Sequence, residues 1–343
     1  MQYPQEDYAC ELSDRLVQRF PRSADVTVEI NGKGTNSKCR AKRQQRLAVV
    51  HCFHYRLREY RGPEFLIVFK DVEQKVAAGR TRSIDEAERA VQCWLDGQSL
   101  SSLYDHFAFV DKPERELTHI LTSVTKAFPE LQKLSTELQK GLASPEFRSL
   151  WFRTHARSCH IYLRNDVPQA SCKWDDCEMF RHDVDDLSQF GAVLKRWLCE
   201  DVQPSEMRKE FPWLSIGEIA EYYERGNPIE GEFLHSWNWV ERSYVDDFHF
   251  PSRTKVLHFL RQLRQAGYDS RLRAGQSMWA FVVSRSRRHG LPIGQPRIIF
   301  EFHDKDMIVA ESDGIETRSF EGSIELSGPV KTVIERLTGR GIE

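Results

Sequence analysis

Residues 270–291 read SRLRAGQSMWAFVVSRSRRHGL. Side chains alternate along a strand, so Met278, Ala280 and Val282 point one way while Trp279, Phe281 and Val283 point the other. An apolar run with no polar face predicts a strand buried on both sides. It emerges into Ser-Arg-Ser-Arg-Arg, with Arg285 and Arg287 continuing one face and Arg288 the other. The flanks supply partners for such a strand. Upstream, RTKVLHFLRQLRQAGY has a helical period, with Ser252 as N-cap and Gly267 as C-terminal stop. Downstream, PRIIFEF, DMIVAES and IETRSF are strand-like runs separated by turn signals, and a last helix is predicted over Pro329–Leu337. Helix, four or five antiparallel strands and helix make an α+β layer.

Working toward the N-terminus, the middle of the chain reads as mainly helical from Pro113 to Val245. Leu117, Leu121, Val124 and Phe128 have helical spacing, continued after Pro129 by Leu131, Leu134 and Leu138. SPEFRSLWFRTHA, DDLSQFGAVLKRWLCED and SIGEIAEYYERG read as further helices, the last with Ser215 and Glu218 at capping-box spacing. In GEFLHSWNWVERSYV, Phe233, Trp237, Val240 and Tyr244 form a core stripe from which Trp239 is excluded. CHIYLR stands out as an isolated strand. Before Pro113, a helix over Glu6–Phe20 precedes a strand at Asp25–Ile30, then the basic, turn-rich NGKGTNSKCRAKRQQR. LAVVHCFHYRL and EFLIVF follow as adjacent strands, and SIDEAERAVQCWLDG as a helix with Ser83 and Glu86 in a capping box and Gly97 at its stop. SLSSLYDHF is a short helix. The expected fold is multidomain α+β: an N-terminal mixed α/β domain (1–112), a helical middle region (113–250) and a basic C-terminal domain (251–343) whose antiparallel sheet is flanked by helices.

Composition bounds the function. In 343 residues, 40% hydrophobic and 29% charged side chains are a globular mix, and 20 Phe and 8 Trp argue against disorder across the chain. No apolar run approaches the roughly 18 to 20 residues that span a bilayer. The start lacks a basic segment followed by an apolar one, and the eight cysteines are scattered. A cytoplasmic protein without membrane contact is expected.

The net charge of −2 conceals a strong asymmetry. Arg253 to Arg297 holds ten basic residues against the single acid Asp269, whereas Asp175 to Phe248 holds eighteen acids against seven bases. Asn31 to Arg46 adds six bases and no acid. Arginine forks bind phosphate oxygens in pairs, and same-face residues on a strand recur every ~6.6 Å, so Arg285 and Arg287 could meet successive phosphates while Trp279 stacks a base. Arg271, Arg273, Arg285, Arg287 and Arg288, with Lys38, Arg40, Lys42 and Arg43, are therefore the candidate nucleic-acid contacts. Equally, the basic layer could pair with the chain's own acids or with an acidic protein surface.

A catalytic site is harder to find. No phosphate-binding P-loop, dinucleotide fingerprint, serine-nucleophile elbow or H-E-x-x-H occurs, and NGKGTNSK lacks phosphate-loop spacing. Cys159, Cys172, Cys177 and His182 permit a zinc site without spelling a standard one. Asp175, Asp176, Asp185 and Asp186 could hold magnesium or manganese for phosphodiester cleavage, although acids at a helix start also complement its dipole. Glu301, His303, Asp304, Lys305 and Asp306 fit a hairpin turn as well as a nuclease strand. Cys52 lies between His51 and His54, but strand alternation puts His51 and Cys52 on opposite faces. The expected function is non-enzymatic binding of RNA or DNA by the basic C-terminal domain, with the acidic helical region as scaffold or protein interface and no cofactor. The alternatives are a protein-interaction or regulatory subunit and a divalent-metal phosphodiesterase.

Overall fold

The computed structural model describes residues 8–20, 25–31, 36–57, 60–139, 148–164, 167–247, 251–278, 280–288 and 294–342. The chain is α+β, built on three antiparallel sheets. It divides into two units, residues 1–176 with 181–201 and residues 177–180 with 202–343.

The first unit opens with α1 (Tyr8–Arg19), followed by a five-stranded meander: β1 (Val26–Asn31), β2 (Asn36–Arg43), β3 (Arg46–Leu57), β4 (Tyr60–Asp71) and β5 (Gln74–Thr81). Half of the expected basic loop is thus strand β2, because Cys39 and Ala41 alternate with Lys38, Arg40 and Lys42 and give it one face to bury. Cys39, Ala41, Ala48, Val50, Phe65, Ile67 and Phe69 face Leu12 and Leu16 of α1 and Val91 and Trp94 of α2 (Ile84–Leu95) in one core. The capping box at α2 is only half made. Ser83 Oγ accepts the Glu86 N–H at 3.2 Å, while the Glu86 carboxylate takes the Thr81 hydroxyl. Gly97 follows the helix with φ +89°, as its stop requires.

After α3 (Leu100–His106) and α4 (Lys112–Ala127) the structure departs from the helical expectation. Pro129–Lys133 is a 3₁₀ turn and β6 (Ser135–Gln139) a strand, so Pro129 ends the helix and its Leu period does not resume. Ser149–Arg153 is strand β7, where Leu150 and Phe152 alternate with Trp151 and Arg153 at period 2. β8 (Arg157–Arg164) pairs with β7 on one side and β9 (Val167–Trp174) on the other, so CHIYLR is not isolated. Beyond β10 (Cys177–Asp183), α5 (Leu187–Leu194) is capped by Asp186, whose carboxylate accepts the Ser188 and Gln189 N–H groups. A π turn, Lys195–Cys199, extends α5 and buries Trp197. The Arg157 guanidinium lies between the Trp174 and Trp197 rings, 4.3 and 4.1 Å from their centroids, and is 3% exposed.

The second unit contains α6 (Pro204–Glu210), the short β11 (Ser215–Ile216), α7 (Ile219–Glu224), α8 (Pro228–Asp246) and α9 (Arg253–Gln265). Ser215 therefore caps no helix: it lies in a strand, and α7 starts at Ile219 without a side-chain cap. Ser252 occupies the N-cap position of α9, but its hydroxyl makes no capping bond. The third sheet runs in the order β12 (Arg273–Ser277), β13 (Ala280–Ser284), β14 (Arg297–Phe302), β15 (Asp306–Ser312), β16 (Thr317–Ser323), and α10 (Gly328–Thr338) closes the chain. Every residue of β13 is buried, as its two apolar faces predict. Phe281 and Val283 join Trp237, Val240 and Tyr244 of α8, Phe259 of α9 and Ile334 of α10 in a single core.

Candidate nucleic-acid interface

The nine cations singled out by the sequence meet two different fates. In β2, Lys38, Arg40 and Lys42 occupy alternate positions and are exposed. Their spacing along the strand is ~3.3 Å per residue, hence ~6.6 Å from one cation to the next. Cross-strand pairing sets Lys38 opposite His51, Arg40 opposite Val49 and Lys42 opposite Leu47 of β3. Opposed residues share a face, so the cations stand beside His51 and, two residues on, Phe53. These rings are near-parallel, with centroids 6.3 Å apart and an interplanar angle of 17°. The register continues from His51 to Leu66 and Arg80, and the Arg80 guanidinium lies 5.9 Å from the Phe53 centroid while pairing with Glu64.

This is the sheet face opposite the one that α1 and α2 cover. Lys42 makes a long 4.0 Å ion pair with Glu73; Lys38 and Arg40 make none among the described residues. Glu29 of β1 lies across from Arg40 in the β1–β2 register. Burial, followed by the positive field of Lys38, lowers the pKa of His51, which keeps the imidazole neutral near pH 7. Arg43 is on the other face and is consumed there by Asp25 at 2.8 Å and Asp96 at 2.9 Å.

The C-terminal arginines are held by the chain itself. Arg287 Nη2 and Arg288 Nη1 lie 3.0 and 2.9 Å from one oxygen of Glu232 in α8, which also accepts the Tyr223 hydroxyl at 2.5 Å. Arg273 donates to the Arg287 carbonyl at 2.7 Å. Arg285 donates to the carbonyls of Arg340 and Arg271, at 2.9 and 2.7 Å. Arg271 donates to Gly267 O and lies 4.9 Å from the Tyr268 ring centroid. Arg264, in the same basic stretch, pairs with Glu241 at 2.8 Å. Trp279 lies outside the described residues.

The proposed metal ligands do not converge. Cys159 and Cys172 are cross-strand neighbours in the core, while Cys177 is set beside Tyr223 and Glu232, and His182 is turned toward Asp183 O at 3.0 Å. Asp175 and Asp176 form the turn after β9, both with positive φ, and Asp186 caps α5. Asp304 and Lys305 lie in the turn between β14 and β15, with the His303 N–H donated to Asp306 O at 2.9 Å. Among the described residues no group of three His, Cys, Asp or Glu side chains could hold a metal ion. His51 and Cys52 face opposite sides of their sheet, and the His54 side chain and Gly32–Thr35 lie outside what is described. Among the described residues no helix is long and apolar enough to cross a membrane.

A second aromatic and cationic arrangement was not anticipated. On the β6–β9 sheet, Trp151 and His160 stack at 4.1 Å, Tyr162 follows at 5.2 Å, and Arg153 and Lys173 lie 4.4 and 5.1 Å from the Trp151 centroid. The alternation in SLWFR and CHIYLR carried this signal once both were taken as strands. No protein-family model matches the chain, and no curated protein or solved structure matches it either.

Proposed function

We propose that the chain binds single-stranded nucleic acid on the outer face of its N-terminal sheet. The observation that supports this most is the exposed row Lys38, Arg40 and Lys42 beside the parallel rings of His51 and Phe53. Cations recurring along a strand can follow a phosphate backbone, and flat rings beside them offer stacking surface to bases of any sequence. The reading moves the interface away from the C-terminal arginines, because their donors are directed to Glu232 and to backbone carbonyls.

Fluorescence anisotropy with labelled single-stranded RNA and DNA at about 50 and 200 mM salt tests it. If all three cations meet phosphates, the combined K38Q/R40Q/K42Q variant reduces the slope of log K against log salt by about 2, at ~0.7 per contact. Absence of binding at low salt, or an unchanged slope in the variant, overturns the proposal.

A second reading, a protein-binding subunit, rests on Trp239, which is 51% exposed on α8 away from the buried stripe. Exposed tryptophans are frequent anchors of protein interfaces. Loss of a co-purifying partner on W239A, with strand binding intact, would favour that reading.

A further inference from the structure

We propose that the outward face of the β6–β9 sheet is a second contact surface for single-stranded nucleic acid. The class of ligand rests on the single-strand reading above, but none of the residues belongs to the β1–β5 face. Side chains of β7, β8 and β9 alternate between two faces. One buries Leu150, Phe152, Cys159 and Ile161 and carries Arg157 toward Trp197 of the π turn. On the other, the registers set three rows ~6.6 Å apart along the strands. Arg153 and Lys173 share the first row, Trp151 and His160 the second, Tyr162 and Gln169 the third. The serine that completes each row is at most 9% exposed, and the larger side chains around it keep contact with solvent.

The rings form a column. Trp151 and His160 lie 4.1 Å apart at an interplanar angle of 16°, and Tyr162 follows at 5.2 Å and 33°. Among the described residues Tyr162 ends the column, so a base stacked on its far side would extend it by one ring. Burial, then the fields of Lys173 and Arg153, lowers His160 to about 4, so near pH 7 its ring offers an uncharged stacking surface. Arg153 and Lys173 stand at the other end, 4.4 and 5.1 Å from the Trp151 centroid. Glu137 takes Arg153 at 3.4 Å, whereas Lys173 makes no ion pair among the described residues and keeps its ammonium donors. The acid at the third row is Asp183, which accepts a Gln169 amide N–H at 2.7 Å. Lys173 and Gln169 are four residues apart, about 13 Å on a strand, so the unpaired cation and the end ring lie at opposite ends of the face. That polarity complements a strand that sets a phosphate on Lys173 and, further along, a base on Tyr162.

Anisotropy titration of the full chain with a labelled uridine octamer, at about 50 and 200 mM salt, tests the proposal. Y162A should weaken binding about fivefold or more, the low end of what one stacked base contributes. K173Q should lower the slope of log K against log salt by about 0.7, and E137Q, which releases Arg153, should raise it. If Y162A fails to fold by circular dichroism, the charge variants K173Q and E137Q still decide. In parallel, the His160 ring resonances should shift on addition of the octamer, in the wild-type chain and in K38Q/R40Q/K42Q alike. Unmoved His160 resonances, or slopes unchanged in both K173Q and E137Q, overturn this surface, and a slope that still falls in K38Q/R40Q/K42Q leaves the first face standing. The converse pattern, with K173Q lowering the slope and K38Q/R40Q/K42Q not, overturns the first face and supports this one. Binding of adenosine monophosphate as tight as that of the octamer, and equally dependent on Tyr162, overturns the commitment to a strand.

Discussion

Two short basic segments, Lys38–Arg43 and Arg285–Arg288, look alike in sequence and are handled in opposite ways. On β2, alternation delivers three cations to a face with few acids, and they remain in water. After β13, the arginines leave a strand whose residues are all buried and are drawn onto Glu232 and nearby carbonyls. Positive charge in a sequence thus says little about a partner until its nearest counter-charge is located. Exposed cations cost the fold almost nothing and are available to a ligand. Cations converging on a buried carboxylate belong to the fold first.

The largest expected effect tests the buried side of this contrast. E232A removes the buried carboxylate oxygen that Arg287, Arg288 and Tyr223 share, and stability measured by urea unfolding should fall by about 3–5 kcal/mol. By contrast, K38Q, R40Q and K42Q should each change stability by no more than ~0.5 kcal/mol, as exposed substitutions do. Equal losses in the two regions would break the contrast. Next in size, F53A should weaken single-strand affinity by about 1–3 kcal/mol, the usual worth of a base stacked on an aromatic ring. Anisotropy titration measures it, and no change would take Phe53 out of the interface. Smaller still, K38Q alone should lower the salt slope by about 0.7.

A separate test concerns the β6–β9 sheet, where Arg153 and Lys173 lie over the Trp151 indole and Arg153 also pairs with Glu137 at 3.4 Å. Burial, then Lys173 and Arg153, lowers His160 from 6.5 to about 4. Between those values the unfolded chain binds a proton that the folded chain refuses, so stability falls as pH drops from 6.5 toward 4. H160Q should flatten that part of the pH–stability curve. In R153Q, an NMR titration should find His160 shifted back toward 6.5. An unmoved His160 would mean that burial and Lys173 set its proton affinity without Arg153.

How much of this was legible depended on how local the signal was. The two-sided strand β13, the stripe Phe233–Trp237–Val240–Tyr244 and the helix start at Asp185 and Asp186 follow from neighbouring residues, and the structure bears them out. The sheet face of β7 was missed because Ser-Pro-Glu imitates a helix start and outweighs the short alternation in SLWFR. β5 was missed because Ala77, Ala78 and Gly79 carry little strand character of their own. The candidate site was half legible. That Lys38, Arg40 and Lys42 share a face follows from their spacing, but His51 comes beside them only through the β2–β3 register. The capture of Arg287 by Glu232 joins residues 55 positions apart, and no local pattern announces it.

The π turn at Lys195–Cys199 gives a different kind of sensitivity. A π turn accommodates one residue more than the α-helical ladder needs. Deleting one residue there would leave a regular helix, so backbone hydrogen bonding would survive the edit. The chain on either side would keep its phase, but the residues inside the turn would be re-spaced at 3.6 per turn. The Trp197 ring would leave the Arg157 guanidinium, which is 3% exposed and now held between two indoles. The surplus residue positions Trp197, and the chain is less tolerant of a shortened helix here than of most substitutions along it.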